Sequence, residues 1–146
     1  MTPGRTPGPR PSRRRRAPLL IGHRGASAHA PENTLASFER ALHDGADWIE
    51  CDVRLSADDV PIILHDATLD RTTDGRGSAA SLPLASILRL DAGSWFAPRF
   101  RGERVPMLAE VLALLDGRGG INLELKIDEP GDRVRAAHAR LALAVE

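Results

Sequence analysis

The chain has 146 residues, with 20 Lys+Arg balanced by 20 Asp+Glu, 42% hydrophobic residues and 27% charged, a composition ordinary for a water-soluble globular protein. No apolar run approaches the roughly 18 residues that span a bilayer, and the single cysteine excludes an intrachain disulfide framework and a multi-cysteine zinc site. Aromatic residues are 3% with no Tyr, which argues against a stacking platform for single-stranded nucleic acid. The balanced charge is segregated. Residues 1–18 hold six arginines and no acid, the other 128 residues carry a net charge of −6, and Lys126 is the only lysine.

Residues 1–18 are Pro, Gly, Arg, Ser and Thr with almost nothing apolar, and are expected to be a disordered, solvated tail. Ser12 and Arg13–Arg16 look like a twin-arginine signal, but the apolar stretch Leu19-Leu20-Ile21 is too short for one. As written there is no signal peptide, so the cytoplasm is the default location. From Leu19 the pattern is regular. A short strand at 19–22 runs into Gly22-His23-Arg24-Gly25, and Leu35, Phe38 and Leu42 then repeat at helical spacing, with Asn33 or Thr34 as N-cap and Gly45 as the stop. Residues 47–55 alternate: Ile49, Cys51, Val53 and Leu55 on one face, Trp48, Glu50, Asp52 and Arg54 on the other. A third strand is expected at 61–65, ending at His65-Asp66. Residues 66–105 form a long connection with a short helix around Leu84–Leu90. Leu108, Val111, Leu112 and Leu115 mark another helix, which Met107 cannot cap as Thr would. Residues 121–127 alternate again, with Asn122, Glu124 and Lys126 opposite Ile121, Leu123, Leu125 and Ile127, and a last helix follows Pro130.

Strands alternating with helices imply an α/β architecture with a parallel sheet covered on its helix side. The polar faces then gather His23, Arg24, Glu50, Asp52, His65, Glu124 and Lys126 at one end of the sheet. Three carboxylates on neighbouring strands repel unless a cation lies between them, and a hard Ca²⁺ or Mg²⁺ ion suits oxygen ligands. Histidines supply acid and base near neutral pH, and Arg24 and Lys126 supply charge for an anion. Together these residues point to metal-assisted phosphoryl chemistry. His43 and His138 read as solvent-facing and Cys51 as buried and inert, while Trp95 and Phe96 either line a substrate pocket or pack within the long connection.

Over about residues 19–128 the chain resembles the glycerophosphodiester phosphodiesterase family. The resemblance rests on His23-Arg24-Gly25, Pro31-Glu32-Asn33-Thr34, Glu50-Cys51-Asp52-Val53, His65-Asp66, Leu69-Asp70-Arg71-Thr72-Thr73, Gly93-Ser94-Trp95-Phe96 and Asn122-Leu123-Glu124-Leu125-Lys126. It implies a (β/α)8 TIM-barrel fold, with 19–146 as the barrel domain and 66–105 as an insertion over the glycerol end of the site. It implies His23 and His65 as the acid/base pair, Glu50, Asp52 and Glu124 as ligands of one Ca²⁺ or Mg²⁺, and Arg24 and Lys126 as phosphate-binding residues. The implied reaction cleaves a glycerophosphodiester to glycerol 3-phosphate and an alcohol, by attack of the glycerol 2-hydroxyl or of water; sphingomyelinase D-like relatives release a cyclic phosphate instead. A barrel of this type takes roughly 250 residues, so the chain is expected to supply only four βα units. Two readings follow: an enzyme, truncated or completed by a second half-barrel, or a non-catalytic fragment that self-associates through open sheet edges. No motif supports a specific nucleic-acid partner.

Overall fold

The structure, a computed structural model, describes residues 18–126. The expected tail (apart from Pro18), Ile127, the helix after Pro130 and His138 lie outside the described residues. Four strands form one open sheet: β1 (Ile21–His23), β2 (Trp48–Leu55), β3 (Pro61–Ile63) and β4 (Gly120–Leu125). β2 is the hub. β1 and β4 both run parallel to it, in registers that set His23 and Asn122 beside Glu50 and Glu124 beside Asp52. Val53 pairs with both Ile63 of β3 and Leu125 of β4, so β1 and β3 share one edge of β2 and β4 takes the other.

β3 corrects the expectation of four βα units. It is antiparallel to β2, because only residues 56–60 separate the two strands. A parallel return needs a crossover of a dozen or more residues, whereas a short loop can only fold the chain back on itself. Ser56 closes that loop, its hydroxyl donating to Asp58 and accepting from the Val60 N–H. The described residues therefore contain three parallel strands plus one antiparallel arm.

Two helices cover one face of the sheet. α1 (Leu35–His43) starts at Thr34, whose hydroxyl oxygen accepts from the Ser37 N–H, which selects Thr34 over Asn33 as the N-cap. α3 (Leu108–Leu115) starts at Met107, which makes no side-chain cap; the Glu110 carboxylate instead accepts the Met107 N–H at 2.8 Å. Phe38 and Ala41 of α1 and Leu108, Val111 and Leu115 of α3 meet Ile49, Cys51, Val53 and Ile63 in the main core, as the alternation of β2 requires. A second core of Ile62, Leu64, Leu69, Ala79, Ile87, Ala92 and Val105 lies beneath segment 66–105, which contains the one-turn helix α2 (Leu84–Ile87). Gly25, at φ 81°, lets the turn after β1 press on α1: a Cβ there would stand 2.0 Å from Ser37 Oγ. Among the described residues no helix is long and apolar enough to cross a membrane.

Phe38 has no exposed surface while Leu19 is 63% exposed. Phe38→Ala is expected to lower unfolding free energy by about 3–5 kcal/mol, and Leu19→Ala to change it by less than about 0.5 kcal/mol. Urea titrations read by tryptophan fluorescence check this; equal losses for the two would contradict the assigned core.

Candidate active site

Because β1, β2 and β4 are parallel, their C-terminal ends lie along one rim, and the polar face of β2 points at it. Glu50 and Asp52 are buried there, Asp52 completely. Glu50 Oε2 accepts the Arg24 backbone N–H at 2.9 Å and stands 3.9 Å from Nε2 of His23, which closes β1 with a largely exposed ring. Arg24 turns the chain with φ at 55° and reaches back, its Nε 3.3 Å from Asp52 Oδ2 and its Nη1 donating to Glu32 at 3.0 Å. Asn33, also left-handed at φ 58°, donates its amide to Asp52 Oδ2 at 2.8 Å and accepts the Asp52 N–H. Lys126, just past β4, pairs with Glu124 and stands 3.1 Å from Asp52 Oδ1. His65 follows β3. Its carbonyl accepts from Nε and Nη2 of Arg54 at 2.9 and 2.6 Å, and its Nδ1 lies 2.7 Å from Asp66 Oδ1.

Glu50, Asp52 and Glu124 each present a carboxylate oxygen within 4.8 Å of the others. The buried Oδ1 of Asp52 is met by the Lys126 ammonium at 3.1 Å. Three convergent hard oxygens fit a Ca²⁺ or Mg²⁺ ion. Six of the seven residues singled out in the sequence thus touch one another: His23 meets Glu50, Arg24 meets Glu50 and Asp52, and Lys126 meets Asp52 and Glu124. His65 joins them through Asp66, Arg71 and Glu32, which lead to Arg24.

Four further residues reach the group that were not assigned a role from sequence: Glu32, Asn33, Asp66 and Arg71. Each lies in a motif already quoted, but the pairings span up to 39 residues, and motif adjacency does not reveal them. Trp95 and Phe96 stack edge to face within segment 66–105, Phe96 does the same with Phe100, and Trp95 Nε1 donates to the Ala92 carbonyl. His43 is exposed on α1, as expected.

Electrostatics follow the contacts. Burial works to raise the Asp52 carboxyl, but the Asn33 amide and Lys126 outweigh it and hold it below the ordinary carboxylate range. Burial works to lower the Lys126 ammonium, and Glu124 and Asp52 reverse the sign and raise it. Hydrogen bonds from Arg71, with Arg24 assisting, lower Glu32. Arg71 and then His65 lower Asp66 strongly. Burial, with Glu50 and Asp52 on either side, pushes the Cys51 thiol up to about 12, which leaves it inert near neutral pH.

The sequence profile of the glycerophosphoryl diester phosphodiesterase family matches residues 23–141. A glycerophosphodiester phosphodiesterase from Caldanaerobacter subterraneus subsp. tengcongensis is 47% identical over 109 residues, covering 74% of this chain and 45% of that protein. The crystal structure of a glycerophosphodiester phosphodiesterase from Agrobacterium tumefaciens superimposes with a TM-score of 0.74 at 48% identity, over 85% of this chain and 53% of that one. An Oleispira antarctica phosphodiesterase, solved in complex with the product sn-glycerol-3-phosphate, superimposes with a TM-score of 0.79 at 43% identity, over 88% of this chain and 51% of that one. The chain spans about half the length of the relatives it matches.

The lowered carboxyls make stability depend on pH. Glu32 and Asp66 have folded-state pKa values below their unfolded ones. Their contribution is therefore complete above the unfolded carboxylate range, about pH 4–4.5, and is lost as pH falls through the folded values. Melting temperature is expected to hold above about pH 5 and fall below it, with a shallower fall in Arg71→Ala. Parallel curves for the two proteins would contradict the ion-pair account.

Proposed function

The chain belongs to the glycerophosphoryl diester phosphodiesterase family, and from that membership we propose that it carries the cation- and phosphate-binding part of a glycerophosphodiester phosphodiesterase site. The observation that supports this most is the convergence of Glu50, Asp52 and Glu124 beside two cationic side chains and two histidines. In this reading the three carboxylates hold one Ca²⁺ or Mg²⁺ ion, which when bound supplies Lewis-acid charge to a phosphate oxygen. Segment 66–105 covers the glycerol end within a barrel-type unit over 19–146.

The chain's own residues do the rest. Arg24 and Lys126 hold and orient the phosphodiester. Arg24 reaches it from a turn fixed by Glu50 and Glu32, and Lys126 from the end of β4. One of His23 and His65 takes the proton from the attacking oxygen, the glycerol 2-hydroxyl or water. The other gives a proton to the leaving alkoxide as the P–O bond breaks. The overall products are glycerol 3-phosphate and an alcohol, in keeping with the product bound by the Oleispira antarctica relative.

Calorimetric titration of the expressed chain with CaCl₂ and MgCl₂ is expected to show one saturable site. Asp52→Asn or Glu50→Gln should weaken it by at least the roughly 10-fold that even outer partners of a metal site are worth. Release of glycerol 3-phosphate from glycerophosphocholine should fall about 10²- to 10⁴-fold in His23→Ala and in His65→Ala. Hydrolysis that survives Asp52→Asn, or a chain with no saturable cation site, overturns the reading.

A further inference from the structure

Arg71 touches none of the three convergent carboxylates, yet four of its five N–H groups are engaged. Nη1 and Nη2 donate to Oε2 and Oε1 of Glu32 at 2.9 and 2.8 Å, while Nε and Nη2 donate to Oδ2 and Oδ1 of Asp66 at 2.7 and 3.0 Å. Each edge of one planar group thus grips a carboxylate with two parallel bonds. Each carboxylate has a third partner. Glu32 Oε1 also takes Nη1 of Arg24 at 3.0 Å, and Asp66 Oδ1 also meets Nδ1 of His65 at 2.7 Å. The result is an unbroken chain: Arg24, Glu32, Arg71, Asp66, His65.

We propose that Arg71 is a positioning residue, which fixes the ring tautomer of His65 through Asp66 and the fork of Arg24 through Glu32. The proposal rests on the reading of His65 and Arg24 as substrate-side groups. An ionised carboxylate only accepts hydrogen bonds. With Asp66 turned and charged by Arg71, a neutral His65 must carry its proton on Nδ1, which leaves the lone pair on Nε2. Nε2 is then set to accept a proton, the form a general base needs. The other end of the chain restrains Arg24, whose Nε faces Asp52.

The chemistry requires arginine. A lysine ammonium matches the charge but cannot give each of two carboxylates a pair of parallel bonds. An isolated exposed ion pair contributes little, and Arg71 is partly exposed. Here, however, two parallel hydrogen bonds tie segment 66–105 to Glu32, 39 positions earlier, and two more hold Asp66 within the segment.

A purely structural staple and a positioning residue differ in what they do to the His65 ring. Long-range ¹H–¹⁵N spectra of the full chain, labelled with ¹⁵N-histidine at a pH where the rings are neutral, read the tautomer directly, with His65 assigned from His65→Gln. Wild type is expected to show His65 Nδ1 as the N–H nitrogen and Nε2 as the bare one. Arg71→Ala should lose that preference, with Nε2–H becoming the major form, and Arg71→Lys should fall between. A wild-type His65 in the Nε2–H form, or an unchanged Nδ1–H form in Arg71→Ala, overturns the proposal. If Arg71→Ala loses the wild-type amide spectrum, Arg71→Lys decides, and a tautomer identical to wild type overturns it. The spectra need neither bound cation nor turnover, so a failure of the proposed function leaves this test intact.

Discussion

A carboxylate with no access to water, Asp52 in the middle of β2, sets the terms for the residues around it. Removing such a charge from water costs several kcal/mol unless hydrogen bonds and opposite charge replace the lost hydration. The replacements come from three separate places. Asn33 donates from the entry to α1, Arg24 approaches from the turn after β1, and Lys126 approaches from the end of β4. Two of the three hold a left-handed backbone, which side chains other than glycine adopt rarely and at a cost of order 1–3 kcal/mol when the surroundings enforce it. The turn, the helix entry and the β2–β4 register are all arranged around one buried acid.

The strand that carries Asp52 divides its work by the two-residue period of extended chain. Ile49, Cys51 and Val53 anchor the helix layer, while Glu50, Asp52 and Arg54 face the rim. The two faces are electrically coupled: the same carboxylates that build the rim help make the Cys51 thiol unreactive. Arg54 extends the arrangement beyond the carboxylates. Its guanidinium holds the His65 carbonyl through two bonds, so the antiparallel arm is tied to β2 by a side chain as well as by strand pairing. That tie fixes where the His65 backbone sits, and Asp66 fixes how its ring is turned.

Local chemistry was legible in the sequence wherever one element decides it. The alternation at 47–55 and 121–127 placed Glu50, Asp52 and Glu124 on the correct face, and the Thr34 cap and the weak start of α3 at Met107 were both readable from residue type. β3 was counted among the strands of a parallel barrel because strands alternate with helices, although the five residues before it already forbade a parallel return. The partners of Asp52 and Arg71 were not legible. Asn33 looked like a cap candidate and Glu32 and Arg71 like members of separate motifs, because a carboxylate–guanidinium fork between positions 39 apart depends on how segment 66–105 folds over the rim. Pairings of that kind follow from tertiary packing, which residue spacing does not encode.

Charge balance gives the last constraint. The connected group contains five carboxylates, on Glu32, Glu50, Asp52, Asp66 and Glu124, and four permanent cations, on Arg24, Arg54, Arg71 and Lys126. One negative charge remains before either histidine is counted. Arg71 is engaged by Glu32 and Asp66 through four of its five N–H groups. At an effective dielectric of about 20, an anion 4 Å from one uncompensated negative charge is repelled by about 4 kcal/mol. In the proposed function a phosphodiester approaching the bare cluster would meet that repulsion at the rim where Arg24 and Lys126 hold it. In the same reading one divalent cation among Glu50, Asp52 and Glu124 reverses the sign of that remainder and leaves Arg24 and Lys126 to act on the substrate. The anion then binds to a site whose negative charge has first been removed, and the acids of the rim serve phosphate binding through the cation they hold.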